Sequence, residues 1–331
     1  MGGRWGRMVA ICLGLFLFLW ILRQVGLEET LHQVRQVGWS FFPLLLPSLL
    51  MIILFSLGWW WTLPRPLPFL SLFLIRAAGE AVNTITPLAY LGGEPLKASL
   101  LQRLGISLTD GLASVVVTKT ALTFTYCLFI FFGLAIALLG AWNSPPALVG
   151  GAGAGLFLAI SVLILYYSQR RGLFSILHRL IYWLGVRGEA WMAKREVLEI
   201  LDTKIVTLYR SSRALSGCLL FSLLGWLTSP LETYLFLWAL GTPVDLLTAI
   251  VIQALVVGVK AATFFIPASL GAQEGGNLLI FLGLGMSGGT AMAFSLLRRA
   301  REVVWIIIGL MVLSRFGWRR LEASPKMERG S

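Results

Sequence analysis

The sequence predicts an all-α polytopic membrane protein of about six to eight transmembrane helices, with two re-entrant broken-helix units related as an inverted repeat. Three observations carry that expectation. The 331 residues are 57% hydrophobic and only 13% charged, which leaves little from which to build a soluble domain. Long apolar runs alternate with short connections in which the cations concentrate. Two of the runs, around residues 86–103 and 266–285, are interrupted by proline, glycine and carboxylates, which lipid-buried sequence tolerates only under cover of protein or water.

Taken in order, Arg4 and Arg7 precede an apolar run at 8–22 that has no small-residue cleavage site after it, so an uncleaved first span is expected. The second span, 39–63, closes on the aromatic belt Trp59-Trp60-Trp61, and three prolines at 64, 66 and 68 stop the helix. Residues 69–85 are helical and apolar but carry Arg76, Glu80 and Asn83. They break at Thr86-Pro87, pass Gly92-Gly93-Glu94-Pro95 and restart as a short amphipathic piece ending near Arg103, the pattern of a re-entrant helix-turn-helix. A span longer than the bilayer is expected over 108–139, with Lys119 inside it. A cation-free turn at 140–146 leads to the next span, 147–167, whose Gly/Ala-rich stretch suits close helix packing.

Residues 169–213 hold nine Lys/Arg against four acids, with apolar residues at helical spacing. This reads as a basic amphipathic helix on the cytoplasmic membrane surface, although an ordinary cytoplasmic connector has the same composition. The span at 214–240 carries Pro230 and Glu232, and 244–265 carries Gln253 and Lys260. Overall, 1–320 forms one membrane domain with repeat halves at about 69–139 and 249–316, followed by a flexible tail at 321–331. Cation asymmetry puts 169–213 and both termini in the cytoplasm.

The second interrupted stretch is the densest in chemistry. It runs Ile266-Pro267-Ala268-Ser269-Leu270-Gly271-Ala272-Gln273-Glu274-Gly275-Gly276-Asn277, and after an apolar run reaches Arg298-Arg299-Ala300-Arg301-Glu302 before apolar residues resume at Val303. Charges in that setting face a cavity or a partner, unless 298–302 is a short polar loop between two spans. A shift of 180 positions lays Pro87 on Pro267, Glu94 on Glu274, Gly105-Ile106-Ser107 on Gly285-Met286-Ser287, and Lys119 on Arg299. Chance similarity between apolar segments is the competing explanation. It does not account for the coincidence of prolines, carboxylates, breaks and cations, and paired interruptions in two halves point to a transporter binding site.

Other classes have little support. The net charge of +12 lies in loops, where it orients the chain and meets anionic headgroups, so no nucleic acid is expected. Cys12, Cys127 and Cys218 sit in apolar runs, and His32 and His178 lie in polar connections without ligand partners, so neither a disulfide framework nor a metal or other cofactor is expected.

Arg76-Ala77-Ala78-Gly79-Glu80-Ala81-Val82-Asn83-Thr84-Ile85-Thr86-Pro87, followed by Gly92-Gly93-Glu94-Pro95-Leu96-Lys97 and Gly105-Ile106-Ser107, resembles the first signature of the flippase-like membrane domain of lysylphosphatidylglycerol synthases. Ser269-Leu270-Gly271-Ala272-Gln273-Glu274-Gly275-Gly276 with Ser295-Leu296-Leu297-Arg298-Arg299-Ala300-Arg301-Glu302 is similar to the second, especially in the stand-alone branch encoded with hopanoid-synthesis enzymes. Pro267-Ala268 replaces the usual Pro-Gly. No part of the chain resembles the synthases' aminoacyl-transferase domain, so the resemblance implies lipid translocation without lipid aminoacylation, and no enzyme activity.

The expected function is that of a lipid flippase or transporter moving a phospholipid, hopanoid or polyprenyl-linked lipid across or out of the bacterial inner membrane. Candidate headgroup contacts are Glu94, Lys119, Gln273, Glu274, Arg298, Arg299, Arg301 and Glu302, with Lys119 and Arg299 converging on one cavity. The backbone breaks are assigned to Pro87, Gly92, Gly93, Pro267, Gly271, Gly275 and Gly276. Membrane lipids are the expected partners, as substrate and as anionic headgroups, with lipid-synthesis enzymes and a second copy of the chain as further candidates. A scaffold recruiting such enzymes through 169–213, or a membrane-embedded lipid transferase, are the rival readings.

Overall fold

In the computed structural model, the described residues are 35, 37–86, 92–139, 145–183, 195–263, 266 and 269–322. They form an all-α membrane protein. Two 3₁₀ turns, Gly38–Phe41 and Pro43–Leu45, lead into α1 (Leu46–Trp60), followed by α2 (Phe69–Ile85), α3 (Gly93–Arg103), α4 (Leu108–Leu139) and α5 (Pro145–Arg170). Then come α6 (Leu173–Trp183), α7 (Arg195–Arg210), α8 (Ser212–Ala239), α9 (Leu246–Ala262), α10 (Ala272–Gly283) and α11 (Gly288–Glu322). Among the described residues, Gly38–Trp60, Leu108–Leu139 and Ser212–Ala239 are long and apolar enough to cross a membrane. The expected first span at 8–22 and the cation-free turn lie outside the described residues, apart from the turn's Pro145 and Pro146, which begin α5.

The two interrupted stretches fold alike. Shifted by 180, α3 gives 273–283 against the observed Ala272–Gly283, and α4 begins at 288, where α11 begins. Both short helices end in the same six-residue closure. Gly105 (φ 81) and Gly285 (φ 71) adopt the left-handed conformation. The amides of Ile106 and Met286 then reach back to the Leu101 and Phe281 carbonyls. Ser107 and Ser287 cap the long helices that follow, each Oγ accepting an amide at 3.1 Å from Asp110 and Thr290 respectively. α11 passes through 298–302 without interruption, so these charges belong to a helix and not to a polar loop.

Packing joins the two halves. α2 lies against α11 and α9 against α4, while α1 lies along α8. Trp61, just past α1, and Gly58 and Phe55 within it meet positions 217, 218–222 and 225 of α8 in turn, so these two helices run antiparallel. Small residues allow the closest approaches. A Cβ on Gly309 would stand 2.4 Å from the Ala77 carbonyl oxygen, and one on Gly133 2.2 Å from the Ala254 side chain.

The basic stretch 169–213 is divided among several elements. Gln169 ends up buried in α5, where its Oε1 accepts from Thr120 Oγ1 at 3.2 Å and from the Tyr209 hydroxyl. His178 is buried on α6, not placed in a polar connection. α7 buries Leu201 and Ile205 in a cluster with Ala113 and Val117 of α4. Asp202 accepts the Phe174 and Ser175 amides at 3.1 and 2.8 Å, capping α6. Lys204 Nζ lies 2.8 Å from Asp110 Oδ1 and donates to Thr109 Oγ1 at 2.9 Å, tying α7 to the start of α4.

Among the described glycines the α2–α3 contact is the tightest: a Cβ on Gly93 would sit 1.9 Å from the Gly79 carbonyl oxygen. Gly93→Ala is therefore expected to cost ~1–3 kcal/mol and lower the thermal midpoint of the detergent-purified protein. At Gly153 an added Cβ meets nothing within 4 Å. Gly153→Ala should leave the midpoint unchanged or raise it, since alanine is the better helix former by about 1 kcal/mol.

Candidate functional site

The first unit builds its polar cluster on α2. Arg76, Glu80 and Asn83 fall at i, i+4 and i+7 of an otherwise apolar helix and so share one face. Thr86 leaves the helix in an extended conformation (φ −90, ψ 131), as the residue before a proline does, and the chain returns as α3. Asn83 then stitches the hairpin together. Its Oδ1 accepts the Gly93 amide at 2.7 Å, and its Nδ2 donates to Glu94 Oε1 at 3.0 Å.

Lys97 Nζ donates to Glu80 Oε1 at 2.6 Å and lies 3.1 Å from Glu94 Oε2. Lys119, one side of α4, reaches Glu94 Oε1 at 3.2 Å. Arg76 Nη1 donates to the Phe55 carbonyl at 3.2 Å, and its guanidinium stands 5.3 Å from the Phe55 ring centroid. Arg76 and Lys97 are each only 4% exposed.

The second unit repeats the central pairing. Ser269 (φ 49) and Gly271 (φ 74) make the turn, and Glu274 in the first turn of α10 folds back so that Oε2 accepts the Gly271 amide at 2.7 Å. Its Oε1 accepts Arg299 Nε at 2.7 Å. Glu274–Arg299 is thus the 180-shifted counterpart of Glu94–Lys119, and both pairs join the head of a short helix to the long helix after it.

Around this pair, Arg299 Nη1 donates to Glu302 Oε2 at 2.8 Å, and Lys260 of α9 meets Glu302 Oε1 at 3.1 Å. Arg301 Nη1 pairs with Glu232 Oε2 of α8 at 2.5 Å. Arg298 Nη1 donates at 2.7 Å to Gln253 Oε1, which also accepts from Thr233 Oγ1 at 2.8 Å. Asn277 Nδ2 donates to Ser295 Oγ at 2.9 Å, and Gln273 is buried on the same helix one turn earlier.

The structure therefore gathers Glu274, Arg299 and Glu302 into one ion cluster, which Arg301 joins through Glu302 at 3.9 Å while pairing with Glu232, with Arg298 beside it on Gln253, and Glu94 and Lys119 into another. Pro87 and Pro267 lie outside the described residues. Four of the expected break residues need correction. Gly275 and Gly276 lie inside α10, where Gly276 lets Val259 of α9 pack closely; the turn belongs to Ser269 and Gly271. Gly92 has ordinary right-handed geometry and Gly93 opens α3, so Gly93 serves close packing more than turning.

Arg76, Glu80, Asn83, Glu232, Gln253 and Lys260 stand out in the sequence as interruptions, but they, with Lys97, Asn277 and Ser295, are not among the residues expected at the site. Their helical spacing on one face, and Glu232 in a span otherwise free of acids, were the available signals. Counted as ionised, the first cluster holds three cations against two carboxylates (Glu80 and Glu94), and the second holds four (Lys260, Arg298, Arg299, Arg301) against three (Glu232, Glu274, Glu302). Each keeps an excess of one positive charge.

Removing Glu232 would leave Arg301 buried beside an uncharged amide. Glu232→Gln is expected to cost ~3 kcal/mol in stability, read as a fall in thermal midpoint, whereas Glu196→Gln, exposed at the start of α7, should leave it unchanged.

Comparison with known proteins follows the same outline. The sequence model of the lysylphosphatidylglycerol synthase TM region matches residues 7–310. A UPF0104 membrane protein of Methanothermobacter thermautotrophicus is 24% identical over 269 residues, which is 74% of this chain and 75% of the relative. No solved structure matches.

Proposed function

Since the chain belongs to the lysylphosphatidylglycerol synthase transmembrane-region family, we propose that it translocates a polar-headgroup lipid across or out of the cytoplasmic membrane. The observation that carries this reading is the repeated carboxylate–cation pair, Glu94–Lys119 and Glu274–Arg299, each set beside a backbone break within apolar helices. A headgroup cannot cross hydrocarbon unaided, and its passage needs charged groups at depth that release one another to receive it. Paired ions meet that need: each carboxylate neutralises its cation while the site is empty and yields it when a headgroup arrives. Arginine's planar fork suits the oxyanions of such headgroups.

In this reading the two units are inverted relative to each other, as in transporters built from opposed repeats. The antiparallel course of α1 and α8, which the 180-position shift brings into correspondence, supports it.

Glu274→Gln and Arg298→Ala should each abolish lipid movement in a leaflet-resolved proteoliposome assay while the protein still reaches the membrane at near-normal level. Wild-type rates in both variants would refute the site. For the inversion, cysteines placed singly at Ser107 and Ser287 in a background lacking native cysteines should differ in labelling by a membrane-impermeant thiol reagent in intact spheroplasts. Equal labelling of the two would overturn the opposed arrangement.

A further inference from the structure

The closures that end the two short helices match bond for bond. In the first unit the amides of Leu104, Gly105, Ile106 and Gly111 donate to the carbonyls of Leu101, Gln102, Leu101 and Ser107, at 2.9 to 3.2 Å. Shifted by 180, the amides of Leu284, Gly285, Met286 and Ala291 donate to the carbonyls of Phe281, Leu282, Phe281 and Ser287, again at 2.9 to 3.2 Å. Ser107 and Ser287 are both exposed, so the two closures meet their surroundings alike. Any difference in how readily they open must come from side chains.

The side chains differ sharply. Lys204 of α7 lies 2.8 Å from Asp110 Oδ1 and donates to Thr109 Oγ1 at 2.9 Å and to Ser107 Oγ at 3.2 Å. From the other side, Arg65 Nη2 donates to the Leu104 carbonyl. Leu201 and Ile205 pack on Ala113 and Val117, and Tyr209 and Thr120 share Gln169 Oε1. α7 thus follows α4 from the closure to the neighbour of Lys119. At the 180-shifted positions of Arg65, Thr109 and Asp110 stand Asp245, Gly289 and Thr290. Asp245 caps α9 instead, accepting the Thr248 amide at 2.8 Å, and Thr290 Oγ1 meets only Ser287 within the closure itself, at 3.1 Å. An added Cβ at Gly285 meets nothing within 4 Å, whereas one at Gly105 would stand 2.7 Å from Arg65. Among the described residues, no side chain of another element bonds to 284–290.

We propose that α7 is a strap which, with Arg65, clasps the first unit at its closure, and that the second unit, with the same backbone and no clasp, is the half that opens. The clasp holds α3, α4 and α7 together as one piece. Lys204 is its positioning residue: it acts on the closure through Asp110, Thr109 and Ser107. Local opening of a backbone segment follows the contacts that must break with it, so unequal clasps give unequal opening.

Amide hydrogen exchange of the full-length protein in lipid nanodiscs tests this, read on peptides covering 104–111 and 284–291 and corrected for intrinsic rates. In the unaltered protein the second closure should exchange about ten-fold faster than the first. Lys204→Met should speed exchange at 104–111 about five-fold, as expected for a half-exposed ion pair with added hydroxyl bonds, and leave 284–291 unchanged. Lys204→Arg should keep the protection, and Arg65→Met combined with Lys204→Met should bring the two closures level. Arg195→Gln, elsewhere on α7, should change neither.

Equal exchange of the two closures in the unaltered protein would overturn the proposal, and that comparison needs no variant to fold. So would Lys204→Met loosening both closures alike, which is general destabilisation, or neither. No lipid movement enters the measurement, so the strap stands or falls apart from the transport reading.

Discussion

An ion in hydrocarbon needs a counter-ion, and in this fold the counter-ion comes from a helix that begins in the middle of an apolar stretch. Glu94 and Glu274 both occupy the first turn of a short helix. There the amide ends of the helix favour a carboxylate in their own right, before any cation is considered. Glu274 uses this twice, taking the Gly271 amide with one oxygen and Arg299 with the other. The break in the chain is therefore not a defect the charges tolerate. It supplies the helix start that makes a buried carboxylate affordable, and the long helices α4 and α11 then carry cations at a depth where they otherwise would not persist.

The two units share this device and elaborate it differently. The first spreads its surplus cations over α2 and α3, the second concentrates them on α11 and meets them with acids from α8 and with Lys260-bound Glu302. Several side-chain atoms in the second unit, among them Arg298 Nε, Arg301 Nε and Glu232 Oε1, are buried without a protein partner. Such atoms are costly unless water or ligand reaches them. The first unit instead leaves a recess beside its cations.

Much of this was legible from the residues alone. The span at 108–139 coincides with α4 because a long uninterrupted apolar run admits few alternatives. Glu94 and Lys119 stand at the same offset of 180 from Glu274 and Arg299 in the sequence, and both combinations are ion pairs in the structure. Partnership was harder to see. Lys97 reaches back to Glu80 across a turn, and Arg301 reaches Glu232 from 69 positions away. Periodicity reports which face is buried, not what lies opposite. The glycines mislead for a related reason: Gly275 and Gly276 look like a hinge in sequence, yet both lie inside α10, where Gly276 makes room for Val259 of α9, and the turn is made by Ser269 and Gly271.

The contact between Gly79 and Gly93 limits how such a protein can move. The backbones of α2 and α3 touch with no clearance for even one methyl group, and Asn83 bonds across the same seam. The hairpin cannot open like a pair of jaws without first breaking a buried hydrogen bond and uncovering Lys97. In the transport reading the hairpin would move as one piece, bearing on α11 where Ala77 and Ala81 meet Gly309. On that reading one half of the molecule would rock on the other, with the small residues along the α2–α11 seam as its bearing.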